Sequence, residues 1–146
     1  MGDGDLSSED YQALGEFRFQ IRRFLHFSEE AAKTEDLEPQ QHQLMLAVRA
    51  CDHPLGPTVG KLSEQLFIRH HSAVGLIDRL EARGLVDRVR GEEDRRQVRV
   101  HLTPEGDAKL RRLSGAHREE LRDSGPVLAA VVAKLLKRKD KDDGGV

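Results

Sequence analysis

Within RHHSAVGLIDRLEARGLVDRVRGEEDRRQVRVHL, residues 69–102, the hydrophobic repeat changes period at a single glycine. Before Gly84, the residues Ala73, Leu76, Ile77 and Leu80 recur at three and four, the spacing of one helix face. After it, LVDRVR mixes apolar and charged residues as a strand does, and QVRVHL alternates with Val98, Val100 and Leu102 on one side. The polar run GEEDRR between them is a turn-rich tip, so the two strands form a hairpin. Gly84 supplies the left-handed stop between helix and hairpin. A helix ending directly in a two-stranded arm leaves few folds open.

The flanking segments narrow them further. Residues 8–34 read as one long helix with Ser8 as N-cap, Glu9 and Asp10 in the first turn, and a stripe of Leu14, Phe17, Ile21, Phe24 and Leu25. Phe19 and Phe27 lie off that stripe, so this helix is more apolar than one core requires. A second helix starts at Pro39 and runs to about Cys51, with Leu44, Ala47 and Val48 inward. DHPLGP is a turn or short extended piece. Thr58 then caps a short helix with Val59, Leu62 and Leu66 inward, and Phe67 and Ile68 lead into the helix of residues 70–83. Thr103 and Pro104 restart helix after the hairpin, Asp123 to Pro126 is expected to break it, and VLAAVVAKLLKRK forms a last helix before a frayed tail. The expected class is mainly α with a small β-hairpin: a winged helix-turn-helix carrying N- and C-terminal dimerisation helices. The expected regions are 1–38 (leader and dimerisation helix), 39–102 (winged region) and 103–146 (C-terminal helices), within one structural domain. Residues 14–27 and 127–136 hold more apolar surface than one winged module covers, which points to a homodimer.

Composition excludes several classes of function. No run approaches the ~20 apolar residues of a membrane span. The acidic start MGDGDLSSED is unlike a targeting peptide, and a single cysteine, Cys51, suits a reducing compartment, so a cytoplasmic protein is expected. There is no glycine-rich phosphate loop and no HExxH. Ser72 beside His71 is no catalytic pair, because the two side chains leave different sides of a helix. No enzyme, no catalytic residue and no cofactor is therefore expected. Adjacent His70 and His71 diverge by about 100° on a helix and do not clasp one ion, and Cys51 with His53 lacks two further ligands, so no metal site is expected. Charge is uneven. Residues 1–57 carry five basic and eleven acidic residues, whereas residues 58–102 carry nine and seven, with His70, His71 and His101 beside them.

The face opposite the aliphatic arc of the 70–83 helix carries His71, Ser72, Gly75, Asp78 and Arg79, with Val74 near one edge. A small, donor-bearing front suits insertion into a DNA groove: serine and histidine bond phosphates or base edges, and valine meets a thymine methyl. Arg95 and Arg96 at the hairpin tip suit an A·T-rich minor groove. With Thr58, Arg69 and His70, these are the candidate DNA-binding residues. Asp78 opposes phosphate and is expected to brace the wing by pairing with Arg95 or Arg96, with Asp94 also assigned to the brace.

The run from Thr58 to Leu110, with its IDRLEARGLV helix end, DRR wing tip and LTPEG helix entry, resembles the winged-helix core of the MarR family of bacterial transcriptional regulators. In order and spacing, the resemblance covers nearly the whole chain. It implies a homodimer on a pseudo-palindromic operator, acting as a repressor, with the helix of residues 70–83 in the major groove, Arg95 or Arg96 in the minor groove, and Asp78 buttressing the wing through an arginine of the tip. It also implies release by a small aromatic or phenolic effector bound near Phe24, His26, His42 and Arg49. The alternatives are a winged-helix module for protein or RNA contact and a metal- or thiol-responsive regulator. The family's peroxide sensors keep their reactive cysteine in the first helix, where this chain has none.

Overall fold

The computed structural model describes residues 4–91, 94 and 96–143, the last six by backbone alone. Its elements are α1 (Ser8–Thr34), α2 (Pro39–Ala50), α3 (Val59–Leu66), α4 (His70–Ala82), β1 (Val86–Arg90), β2 (Val98–Leu102) and α5 (Pro104–Asp143). They divide into two compact units, Ala31–Gly115 and a helical unit of Met1–Glu30 with Ala116–Val146. The strands pair antiparallel from Val86 opposite Leu102 to Arg90 opposite Val98.

In the winged unit α4 buries Ala73, Leu76, Ile77 and Leu80, the arc expected from their spacing. Leu76, Ile77 and Leu80 share one core cluster with Leu44, Met45 and Val48 of α2, Leu62 of α3, Leu85 and Val86, Val100 of β2, and Leu110 and Leu113 of α5. Each fully buried aliphatic side chain contributes about 1.5–3 kcal/mol. Met45 replaces Ala47 as the deeper member of the α2 face, because α2 is covered on two sides and buries Gln41 and His42 as well. The segment before α3 lies along β2: Thr58 bridges Arg99, Val100 donates to the Pro57 carbonyl at 3.0 Å, and the Arg99 guanidinium donates to the Gly56 carbonyl at 2.8 Å.

Helix ends follow local chemistry. Thr58 Oγ1 accepts the Lys61 N–H at 3.2 Å, and Gln41 closes a capping box on Glu38. The first cap differs from expectation: Ser7, not Ser8, exchanges bonds with Asp10, because only residue i−3 reaches that side chain reciprocally. α5 also departs, running through Pro126 without the expected break. A proline removes one ladder donor, and the ladder resumes on either side of it.

The start of α5 is tied to the junction between α4 and β1. Thr103 Oγ1 donates to the Gly84 carbonyl at 2.6 Å and accepts the Gly106 N–H at 3.0 Å, while Thr103 N–H reaches the Leu85 carbonyl. Gly84 sits at φ 72°, a region glycine enters without steric penalty. Gly106 packs so closely that a Cβ there would stand 2.1 Å from the Leu85 carbonyl oxygen. Glu35 accepts two bonds from Arg112, at 2.6 and 2.9 Å, and Lys109 donates to its carbonyl, joining the α1–α2 link to α5. The bond from Arg112 lowers the Glu35 pKa; burial opposes it, and the charges of Arg112 and Lys109 reinforce it.

In the helical unit, Phe24 and Phe27 meet His117 edge-on at 5.8 and 5.4 Å, and His117 Nε2 lies 2.8 Å from Ser28 Oγ. Of the expected α1 stripe, Phe17, Ile21 and Phe24 are half-buried, whereas Leu14 and Leu25 are exposed. Leu6, Tyr11, Phe19, Leu121, Val127 and Leu136 are exposed too.

Two outcomes are expected. Gly106→Ala lowers stability by about 1–3 kcal/mol in chemical denaturation, through overpacking against Leu85, although alanine is the better helix former; unchanged stability contradicts that contact. Glu35 has a depressed pKa, so its contribution is complete above about pH 4.5 and is lost as pH falls through the lower folded value. Glu35→Gln then flattens the acid limb of a urea-midpoint profile, and an unchanged limb excludes this ion pair as its source.

Candidate nucleic-acid interface

Arg69 is the N-cap of α4 but its side chain makes no capping bond, and the first turn of the helix holds no acidic residue. His70, His71, Ser72, Asp78 and Arg79 are exposed, and Val74 and Gly75 are half-buried. Arg79 lies back along the helix, its Nη1 3.6 Å from where a Cβ on Gly75 would stand. With the aliphatic arc committed to the core, these side chains form the surface the helix can offer.

A concavity of about 450 Å³ joins the start of α3, α4 and the wing. It brings Thr58, His70, Val74 and Arg96 together with Gly60, Arg88 and Gln97. Arg69, His71, Ser72, Gly75 and Arg79 lie elsewhere on α4, and Arg95 falls outside the described residues. Gly60, Arg88 and Gln97 escaped the sequence reading. Glycine in a helical run and glutamine beside a charged turn carry no signal of their own.

The wing brace has a partner that the sequence did not point to. Among the described residues, Asp78 binds Arg88 of β1 rather than the tip residue Arg96. Arg88 Nη1 also donates to Glu81 at 2.9 Å, and its backbone N–H to the same carboxylate at 3.1 Å. The reason is where the chain returns. β1 starts four residues after α4 ends, so Arg88 runs back beside Asp78 and Glu81, which share a helix face at i and i+3. Burial disfavours the charge on Arg88, but the bonds to Asp78 and Glu81 outweigh it and raise its pKa above the ordinary value. Asp94, also assigned to the brace, serves the tip itself: its side chain accepts the Arg96 N–H at 3.0 Å and its carbonyl the Gln97 N–H at 3.1 Å.

The four residues expected at an effector cleft do not share a unit. Phe24 and His26 lie in the helical unit, Phe24 against His117; His42 is buried in the winged unit, and Arg49 pairs with Asp107 at 3.4 Å. Among the described residues, no three His, Cys, Asp or Glu side chains are placed to hold a metal ion, and no helix is long and apolar enough to cross a membrane.

Residues 35–97, from the α1–α2 link to the end of the wing tip, match the MarR family model. Over these residues the chain is similar to the MarR family. Two curated relatives from Bacillus subtilis are similar to part of the chain. The uncharacterized HTH-type transcriptional regulator YsmB is 39% identical over 66 residues, 45% of this chain and 45% of its own length. The HTH-type transcriptional repressor YetL is 36% identical over 74 residues, 51% of this chain and 43% of its own. The match thus spans less than half the length of these relatives. A mutant of S. aureus MepR bound to an oligodeoxyribonucleotide has the same fold, with TM-score 0.66 at 16% identity over 91% of this chain and 99% of that one. The names are those of regulators rather than enzymes.

Removing the brace with Asp78→Ala and Glu81→Ala together changes global stability by less than about 1 kcal/mol, since the carboxylates are solvent-exposed. Amide exchange of the wing, residues 88–90 and 98–101, rises about tenfold while α4 keeps its protection. Equal exchange in both proteins would show that the wing does not depend on this pairing.

Proposed function

We propose that the chain is a homodimeric, sequence-specific DNA-binding transcriptional regulator. The observation that carries this reading is the concavity where α3, α4 and the wing present Thr58, His70, Val74 and Arg96 on one face. α4 enters the major groove. His70, His71, Ser72, Val74, Gly75 and Arg79 face base edges, while Thr58 and Arg69 meet phosphates. Arg96, with Arg95, reaches the adjacent minor groove. Arg88 fixes the wing angle through Asp78 and Glu81. The oligonucleotide-bound MepR mutant supports this use of the fold, and the repressor YetL supports repression as its outcome.

The dimer reading rests on the helical unit. Among the described residues, eight large apolar side chains stand exposed there, against three in the winged unit. So large an apolar surface is a mark of association. Two-fold pairing places two copies of α4 about 34 Å apart, one turn of DNA. Release by a small aromatic or phenolic effector belongs to the same proposal, with Phe24, His26, His42 and Arg49 as its candidate residues, and the protein acts in the cytoplasm.

Selection of bound sequences from random duplex DNA tests the whole reading. The expected product is a palindrome with half-sites about 10 base pairs apart; recovery of no preferred sequence overturns it. Arg96→Ala weakens binding and reduces the slope of log affinity against log salt by about 0.9, the effect of one lost phosphate-region contact. Arg79→Ala relaxes the choice of one base pair, worth about 1–3 kcal/mol, and equal losses on all sequences would exclude base reading by that residue.

A further inference from the structure

Phe67 occupies the turn between α3 and α4, and it is costly to keep there. Its backbone is left-handed, at φ 53° and ψ 42°, a conformation usually filled by glycine or asparagine. The turn requires it: Phe67 N–H donates to the Glu64 carbonyl and Ile68 N–H to the Ser63 carbonyl, which closes α3 and lets Ile68 pack against the core. Nothing in that geometry calls for a side chain at residue 67. Yet the ring is 97% exposed, while the other exposed large apolar residues of the winged unit, Leu46 and Leu55, are at 42% and 37%. The chain therefore holds a phenyl ring in water on a backbone that disfavours it, and no contact within the fold compensates.

The surroundings indicate a polyanion as the partner. Phe67 precedes the N-cap of α4 by two residues, and Arg69, His70 and His71 beyond it are exposed. From His53 to Ile77 the chain has one acidic residue, Glu64, against Lys61, Arg69 and three histidines. A protein partner for the ring would have to accept this cationic border. A DNA strand does so through its phosphates and offers an apolar spot between them in the thymine methyl, which phenylalanine is suited to meet.

We propose that Phe67 is a specificity-determining residue that packs on a thymine methyl at the edge of the major groove entered by α4. This rests on the DNA-binding reading and extends it to a residue outside the helix. The native chain and Phe67→Asn are compared on the duplex recovered by selection, and on copies in which deoxyuridine replaces thymine one position at a time. Asparagine accepts the left-handed backbone, so Phe67→Asn is expected to keep or raise Tm. It should bind the thymine duplex about tenfold more weakly. At one position in each half-site, loss of the methyl should weaken the native chain and leave Phe67→Asn unchanged; Phe67→Tyr should behave as native. Native affinity in Phe67→Asn overturns the proposal, as does an affinity loss with no position at which thymine and Phe67 are coupled. If the native chain binds no duplex, it is the DNA-binding reading that falls, and this one with it.

Discussion

Burial of four side chains on one arc of α4, Ala73, Leu76, Ile77 and Leu80, is the constraint on which the rest of the winged unit depends. A helix so committed cannot rotate, because any turn about its axis would bring His71, Asp78 or Arg79 into an aliphatic core, where unpaired charge is expensive. The orientation of the outward arc is therefore decided by the inward one. α2, α3, β2 and α5 all supply partners to that core, so the elements that frame the outer face are held by the contacts that hold the helix.

A second layer of fixation is polar and sits at the end of α4. Thr103 gathers the Gly84 carbonyl, the Leu85 carbonyl and the Gly106 N–H into one knot, and Gly106 allows the backbones to touch. Arg88 then ties the wing back to α4 through two carboxylates. The hydrophobic part sets the position of the recognition surface, and the polar part sets the angle of the arm beside it. Ion pairs this exposed contribute little to overall stability, so their loss loosens the wing without unfolding the protein.

Much of the architecture was legible because its causes are local. The change of period at Gly84, the Thr58 and Thr103 caps and the alternation of Val98, Val100 and Leu102 each act within a few residues. The candidate site was less legible. Its outward residues on α4 follow from the inward arc, but Gln97 and Gly60 enter the concavity only because the wing and the start of α3 happen to converge there. The helix continues through Pro126 for a related reason: a proline weakens one turn, and whether a helix survives that depends on what lies on either side of it.

The sequence by itself determined which segments from α2 to the hairpin are helix and strand, and which arc of α4 turns inward, because period, capping and backbone preference operate over one or two turns. Only the tertiary structure decided that Asp78 meets Arg88 on β1, that Asp94 closes the turn at the wing tip, and that the ring of Phe67 is left in water. Those outcomes depend on where a strand returns after its turn and on which surfaces the packed elements leave uncovered, and no local pattern encodes either.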